Sequence, residues 1–397
     1  MPSLLESVDA DGARMLKILH VAPTFYPAAY WGGPIYSVLG LCDALAHRPG
    51  IQLKVLTTDS AGPDRDDRLE RHGNVVFPAG YSVYYARRRF GVSISSELLG
   101  KLRPMIRWAD VVHITGVYSF PTIPTLFECR LFGKPVVWSP RGALQRWQES
   151  RRIGMKALWE SICNVTMNRR RCVLHVTSAD EARESLEKIR CDSAEVIANG
   201  VEIPPPAPAR SWRPNGAMRL LYVGRLDPKK GIENLLEAMA ILEPHVVLDV
   251  CGTGPDDYVA SLRRRAEKLQ LLERVRFHGH IDAAAKSSAL WSADVCVVPS
   301  HTENFAMVVA ESLAHGVPVI ASTGTPWEKI VEQGCGAWVS NEPASLAKAV
   351  HDLEKRDLAS MGSHGREWMQ RDFSWAAVAE RMETLYRQRL NAASHSA

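Results

Sequence analysis

The amino-acid sequence predicts an α/β protein of two doubly wound domains, each built on a parallel sheet, facing one another across a cleft. Three observations predict it. Short apolar runs alternate with helical segments through both halves of the chain, which is the pattern of βαβ units. At 397 residues the chain is too long for one ordinary core and suits two. Between the halves stands VEIPPPAPARSWRPNGA, residues 201–217, whose prolines can continue neither a helix nor a central strand.

Taken in order, residues 1–14 have an acidic start and precede Met15 and an apolar run; they are expected to be a disordered leader or an over-called start. Residues 15–200 form the first domain on the strand-like runs KILHVA, LKVLTT, DVVHITG, KPVVWSP and CVLHVTS. Residues 201–217 are the linker. Residues 218–374 form the second domain on RLLYVG, VVLDVCG, VRFHGH, DVCVVP and VPVIAS. The tail, 375–397, opens with the amphipathic helix WAAVAERMETLYRQRL, expected to pack on a domain face. Many of the runs end at Gly, Pro or Ser before helical periodicity begins, so ligand crevices belong at the carboxyl ends of the strands.

Composition narrows the function classes. No apolar run approaches the roughly 20 residues that span a bilayer, and the N-terminus lacks a signal-peptide pattern, so a cytoplasmic protein is expected. Eight scattered cysteines without C-x-x-C pairing read as reduced core residues. Residues 1–200 hold 26 Lys and Arg against 20 Asp and Glu, an excess of +6, while the remainder holds 22 against 24. That basic first half favours an acidic surface or substrate but falls short of a nucleic-acid binder's stripe.

Two segments carry the strongest chemistry. LLYVGRLDPKKGIENLLEAMA, residues 220–240, sets Arg225, Lys229 and Lys230 in a loop before a helix starting near Gly231. Cations beside a helix N-terminus make a diphosphate pocket, or else a solvated basic turn with Asp227 as cap. HTENFAMVVAESLAHGVPVI, residues 301–320, is apolar on almost every helical face yet carries Glu303 and Glu311, and a buried carboxylate needs a partner or a task. With a first turn at Asn304 to Val308, the eight-residue spacing would place Glu311 roughly 12 Å along the helix and rotated by about 80°. The pair could grip an elongated ligand such as a nucleotide sugar. The bland alternatives are a capping box of Glu303 with Ser300 and a core arginine on Glu311.

Other signals are weaker. Gly32 and Gly33 open a helix near Pro34, and CGTGP (251–255) has G-x-G without a third glycine; neither is a dinucleotide or phosphate-loop fingerprint. Arg141 in SPRGALQRW follows a strand and suits a substrate anion or a bridge between loops. His113 in HITG sits inside a strand pattern, more often a satisfied core histidine. YARRRF (85–90) and RRIGMKALWESICNVTMNRRR (151–171) interleave arginines with apolar residues, which fits an anionic membrane surface or a solvated helix face.

Together these residues resemble the family 4 glycosyltransferases of group 1, retaining enzymes of the GT-B architecture with two Rossmann-like domains. The matching motifs are G-R-x-x-x-x-K-G at Gly224 to Gly231, E-x7-E at Glu303 to Glu311, Gly32-Gly33, N-G-V at 199–201, and residues 315–339. SPRGAL is similar to a subgroup found with bacterial surface polysaccharides. The resemblance, which covers nearly all the chain after Met15, implies that Arg225 and Lys230 hold the donor diphosphate and Glu303 the sugar hydroxyls. It further implies that backbone N–H groups of Phe305, Ala306 and Met307 face sugar and phosphate, that Glu311 binds the ribose, and that backbone near His280 and Ile281 contacts the base. Gly33 would let the first domain close on the donor, and Arg141, His113 and Thr115 would lie on the acceptor or phosphate side. The chain departs from the family pattern at Ala306, often Gly, and at Thr115, where a second histidine is usual.

The implied reaction is transfer of a sugar from a nucleoside diphosphate sugar to an acceptor hydroxyl with retention, without a metal or other cofactor, in exopolysaccharide, O-antigen or other surface-glycan assembly. The implied acceptor is a glycan or lipid-linked glycan, with the protein on the inner face of the membrane and no nucleic-acid partner. The rivals are a tandem Rossmann NAD-dependent oxidoreductase, a catalytically silent nucleotide-sugar-binding module and a sugar epimerase.

Overall fold

The computed structural model describes residues 15–394 apart from 29, 31, 63, 65, 146–152 and 207–209; the expected leader, 1–14, lies outside the described residues. Two units result, one of residues 1–200 with 375–397 and one of residues 201–374.

Unit 1 runs β1 (Leu16–Val21), α1 (Gly33–Ala46), β2 (Ile51–Thr58), β3 (Gly73–Val76), β4 (Ser82–Ala86) and α2 (Ser96–Trp108). It continues with β5 (Val111–Thr115), α3 (Thr122–Leu131), β6 (Val136–Ser139), α4 (Ile153–Thr166), β7 (Cys172–Val176), α5 (Ala179–Lys188) and β8 (Ala194–Val196). The strand order is β3-β4-β2-β1-β5-β6-β7-β8, parallel throughout except that β3 runs antiparallel to β4. Alternation along β1 explains the two covered faces: Leu16 and Ile18 join the core under α1, while Leu19 and Val21 join the core on the other side.

Unit 2 runs β9 (Met218–Val223), α6 (Ile232–Ile241), β10 (Val246–Cys251), α7 (Asp256–Lys268), β11 (Val275–Gly279) and α8 (Ala283–Ser292). Then follow β12 (Val295–Val298), α9 (Met307–Ala314), β13 (Val319–Ser322), α10 (Lys329–Glu332), β14 (Gly336–Val339), α11 (Pro343–Glu354) and α12 (Leu358–Trp368). Its parallel sheet has the order β11-β10-β9-β12-β13-β14. The order reverses beside β9, so the loops leaving β9 and β12 meet at the switch point where open α/β sheets bind ligands.

The strand-like runs all form strands, and four more appear. β3, β8 and β14 are short, with half or more of their positions at least partly exposed, and β4 follows a turn rather than a long apolar run.

Residues 201–217 depart from the expected linker, because much of the stretch packs on unit 2. Arg213 N donates to Asp294 Oδ1 at 3.0 Å, Trp212 lies against the unit 2 core, and the Arg210 guanidinium stacks 3.7 Å over the Trp212 ring. Buried Asp294 also accepts from Arg219 N at 2.9 Å and Nη2 at 2.9 Å, so one carboxylate ties this segment to β9.

The last helix, α13 (Trp375–Ser394), packs into unit 1, where Val378, Met382, Leu385 and Tyr386 are buried with α1 and β1. All eight cysteines are buried, free thiols. The Trp375 ring sits against Gly40 and Gly200, and a Cβ on Gly200 would stand 2.2 Å from it. Gly200→Ala should therefore destabilise unit 1 by about 1–3 kcal/mol through overpacking, read as a lower urea midpoint at unchanged slope; an unchanged midpoint would show that the ring has room to move.

Candidate active site

At the end of β9 the backbone is packed too closely for side chains. Gly224 N donates to Cys251 O at 3.0 Å, and a Cβ on Gly252 would lie 1.8 Å from the Gly224 carbonyl oxygen. The glycines of CGTGP thus admit the neighbouring loop, a role the motif alone did not reveal. Next come exposed Arg225, whose carbonyl accepts from Tyr222 Oη at 2.9 Å, and Asp227, which caps the turn Pro228–Lys230 by accepting from Lys229 N at 3.1 Å. Gly231 follows at φ 64°, and α6 begins at Ile232. A Cβ on Gly231 would fall 2.2 Å from Pro299 O, so the loop after β9 lies directly on the loop after β12. His301 N donates to Lys229 O at 2.8 Å and closes the seam.

That seam brings the cations to the first carboxylate. Lys230 Nζ is ion-paired with Glu303 Oε1, which also accepts from Ser300 Oγ at 2.9 Å, and Glu303 N donates to Gly324 O at 2.8 Å. Ser300 therefore holds the acid's side chain instead of forming the capping box weighed from sequence. Burial, and then the charge of Lys230, lower the pKa of Lys229. Arg225, Lys229 and Lys230 stand here with two carboxylates, Glu303 and Asp227, which leaves one positive charge in excess for an anion.

The helix begins later than its spacing suggests. Ala306 adopts φ 59°, and α9 starts at Met307, so Glu303 stands outside the helix and the 12 Å helical estimate does not apply. Left-handed backbone strains a residue with a Cβ, which is why glycine suits this position. Phe305 is buried, with its ring 5.1 Å from that of Trp327 and its carbonyl accepting from Trp327 Nε1. Val309 N donates to the Ala306 carbonyl at 2.9 Å across the first turn of α9, and buried Asn304 Oδ1 nearby is without a hydrogen-bond partner.

Glu311 lies one turn inside α9 and pairs with Lys286 Nζ at 2.6 Å, a partly exposed lysine rather than a core arginine. Sequence reasoning passed over Lys286; its position, four residues after the Asp282 cap of α8, was the available signal. His280 and Ile281 occupy the turn between β11 and α8, with His280 exposed.

The three residues expected on the acceptor or phosphate side lie in unit 1, and each is bonded to a partner inside it. His113 is fully buried in β5. Its Nδ1 lies 2.6 Å from Tyr386 Oη and its Nε2 2.7 Å from Ser139 Oγ. Ser139 Oγ also lies 2.6 Å from His175 Nδ1, and His175 Nε2 lies 3.0 Å from the Ile197 carbonyl. A carbonyl only accepts, so His175 carries its proton on Nε2, and the chain of donors runs from Tyr386 through His113 and Ser139 to Ile197. Both ring nitrogens of His113 are thus engaged within the core. Thr115 bonds buried His20 at 2.8 Å, and the His20 and His113 rings stack at 4.3 Å. Arg141, at φ 56°, turns its guanidinium inward to Asn199 Oδ1, because the left-handed turn folds it back over the sheet; it bridges loops and gives the N-G-V asparagine a role the sequence did not assign. Gly33 opens α1 with open space around it, since a Cβ there would meet no atom within 4 Å.

The basic segments also separate. Arg88 of YARRRF is buried, its guanidinium donating to the carbonyls of Gly62 at 3.0 Å and Asp67 at 2.9 Å, so it braces a loop and faces no solvent. Residues 151 and 152 lie outside the described residues.

Known proteins give the same outline. The family model of the glycosyl transferases group 1 matches residues 209–368, and that of glycosyltransferase family 4 matches residues 31–203. A phosphatidyl-myo-inositol mannosyltransferase of Mycobacterium tuberculosis is 30% identical over 375 residues, covering 89% of this chain and 93% of its own. Among solved structures, sucrose-phosphate synthase from Thermosynechococcus elongatus has a TM-score of 0.72 at 23% identity, over 95% of this chain and 100% of its own. Anabaena HepE in complex with UDP and glucose has a TM-score of 0.69 at 18% identity, over 93% and 99%.

The histidine chain predicts a pH dependence. Burial, with the Arg141 charge second, pushes His20 and His175 down to about 3, and burial pushes His113 well below its ordinary value, followed by the charges of His20, His175 and Arg141. Unfolded, each titrates near 6.5, so below that pH the unfolded chain holds more protons and stability falls as pH falls. Each histidine should cost about 1.4 kcal/mol per pH unit well below 6.5 and nothing above it. Denaturant titrations from pH 8 to 5 test this; a flat stability across that range would mean the rings are not held neutral.

Proposed function

The chain belongs to the family 4, group 1 glycosyltransferases, and on that premise we propose that unit 2 binds a nucleoside diphosphate sugar and transfers its sugar to an acceptor hydroxyl with retention. The observation that carries this reading is the seam at the switch point, where Lys230 pairs with Glu303, the charges of Arg225 and Lys230 act on Lys229, and α9 begins four residues after Glu303. Arg225 and Lys230 hold the diphosphate, and Glu303 binds hydroxyls of the sugar. The N–H groups of Phe305, Ala306 and Met307 face the sugar and phosphate, Glu311 takes the ribose, and backbone near His280 and Ile281 meets the base.

In the reaction the bond from the anomeric carbon to the leaving phosphate oxygen breaks as the bond to the acceptor oxygen forms on the same face. The acceptor proton passes to the departing phosphate. Charge grows on that phosphate, and cations and helix N–H groups already aimed at it stabilise the transition state more than the ground state. Such a set performs the work of a divalent ion, so a hexosyl transfer without metal is proposed. Unit 1 takes the acceptor, a glycan or lipid-linked glycan, in surface-glycan assembly at the inner face of the membrane.

Turnover assayed in EDTA should persist for the wild type and fall about a hundred- to a thousandfold in Lys230→Ala; a near-wild-type rate in the variant would remove the assignment. Glu311→Gln should weaken nucleoside diphosphate binding about ten- to a hundredfold, the worth of a charged hydrogen bond, as read by calorimetry. Unchanged affinity would return Glu311 to a purely structural pairing with Lys286. Stabilisation of the protein by NAD alone, among nucleotides supplied at about 100 times their dissociation constants, would favour the oxidoreductase instead.

A further inference from the structure

α4 is apolar on two faces. One packs inward, with Cys163 buried and Trp159 against the same core. The other carries Met155, Leu158, Ile162 and Val165, which are 60%, 64%, 41% and 74% exposed and fall within an arc of roughly 80° at 100° per residue. α3 lies beside it, joined by Arg130 to the Val165 carbonyl, and exposes Phe127 and Leu131. Water-facing aliphatic side chains in a row are unusual for a helix already packed on one side.

Among the described residues, the cations around this stripe outnumber the carboxylates left without a partner. Arg130 lies at its end, Arg169 and Arg170 are exposed in the turn that follows, and Lys156 is near its start, 5.2 Å from the Tyr118 ring. The neighbouring carboxylates are engaged within the fold: Glu160 accepts from Tyr118, Glu128 from Arg103 at 2.9 Å, and Asp192 from Arg169 at 3.3 Å.

A second apolar feature points the same way. Phe90 and Ile94 pair across a tight loop after β4 and are 65% and 43% exposed. Ser93 of that loop accepts from Phe120 N at 3.3 Å, and Trp159 of α4 donates to Val117 O at 2.8 Å. Both features are therefore fastened to residues 117–120, which leave the carboxyl end of β5.

We propose that this face of unit 1, the exposed stripe of α4 with its cationic rim, docks on an anionic lipid bilayer. The inference rests on the acceptor reading above and gives it a surface: apolar side chains enter the headgroup boundary while arginines meet lipid phosphates, and the carboxyl edge of the sheet is turned toward acceptors held in the membrane.

The test is flotation of the full chain with phosphatidylcholine vesicles, with and without about 30% phosphatidylglycerol, for the wild type, Leu158→Ser/Val165→Ser and Arg170→Glu. Wild-type protein should float with the anionic vesicles only, and both variants, or about 0.5 M salt, should lower binding about tenfold or more. Equal flotation of wild type and variants, or equal binding to neutral vesicles, overturns the proposal. So does concentration-dependent self-association in ultracentrifugation that the apolar double variant abolishes, since the face would then join two copies of the chain. Nucleoside diphosphate binding, followed on the same samples, should be unchanged in the variants; its absence from a wild type that floats would count against the transferase reading and leave the membrane face standing.

Discussion

The candidate site depends on one steric constraint, the contact of Gly231 with the Pro299 carbonyl oxygen, where a Cβ would come to 2.2 Å. Two loops meet backbone to backbone there, and only then does Lys230 reach Glu303. Everything electrostatic follows from that approach. Charges a few ångströms apart in a partly desolvated place interact far more strongly than in water, so the pair fixes both side chains before any ligand arrives. Arg225 and Lys229 add charge that Glu303 and Asp227 together do not balance, and burial first, then the neighbouring Lys230 charge, lower the Lys229 pKa.

Unit 1 solves a different problem. Its sheet carries three buried histidines; His113 and His175 are tolerated because their ring protons have acceptors in a chain running one way, from Tyr386 to the Ile197 carbonyl, while His20 bonds Thr115 beside it. The direction leaves no place for an extra proton, since a protonated ring would present a donor to a donor. The same chain anchors α13 to the middle of the sheet through Tyr386, so the helix at the end of the sequence is held by polar bonds as well as by its apolar face.

Several sites were legible in the sequence because their signal is local. The apolar runs became strands at nearly the expected limits, and Arg225, Lys229 and Lys230 lie in a turn before a helix as read. The E-x7-E reading failed in its geometry: the left-handed Ala306 ends the helical register, so the rise and rotation between Glu303 and Glu311 could not be counted at helical steps. His113 and Arg141 were expected on the acceptor or phosphate side, with a core histidine and a loop bridge as the alternatives; His113 bonds Tyr386 from 273 residues away and Arg141 bonds Asn199. Nothing in their neighbouring residues announces those partners.

By itself the sequence determined the class of fold, the longer apolar strands in their order, and which residue types stand at the carboxyl ends of those strands, because hydrophobic period, glycine, proline and charge act over a few residues. The tertiary structure alone decided which of those residues share a site. Ion pairs such as Lys230 with Glu303 and Lys286 with Glu311 depend on sheet order and on how closely two backbones can pack. Likewise, whether the apolar residues of α4 face the core or the solvent was settled by packing, because one turn of helix presents both.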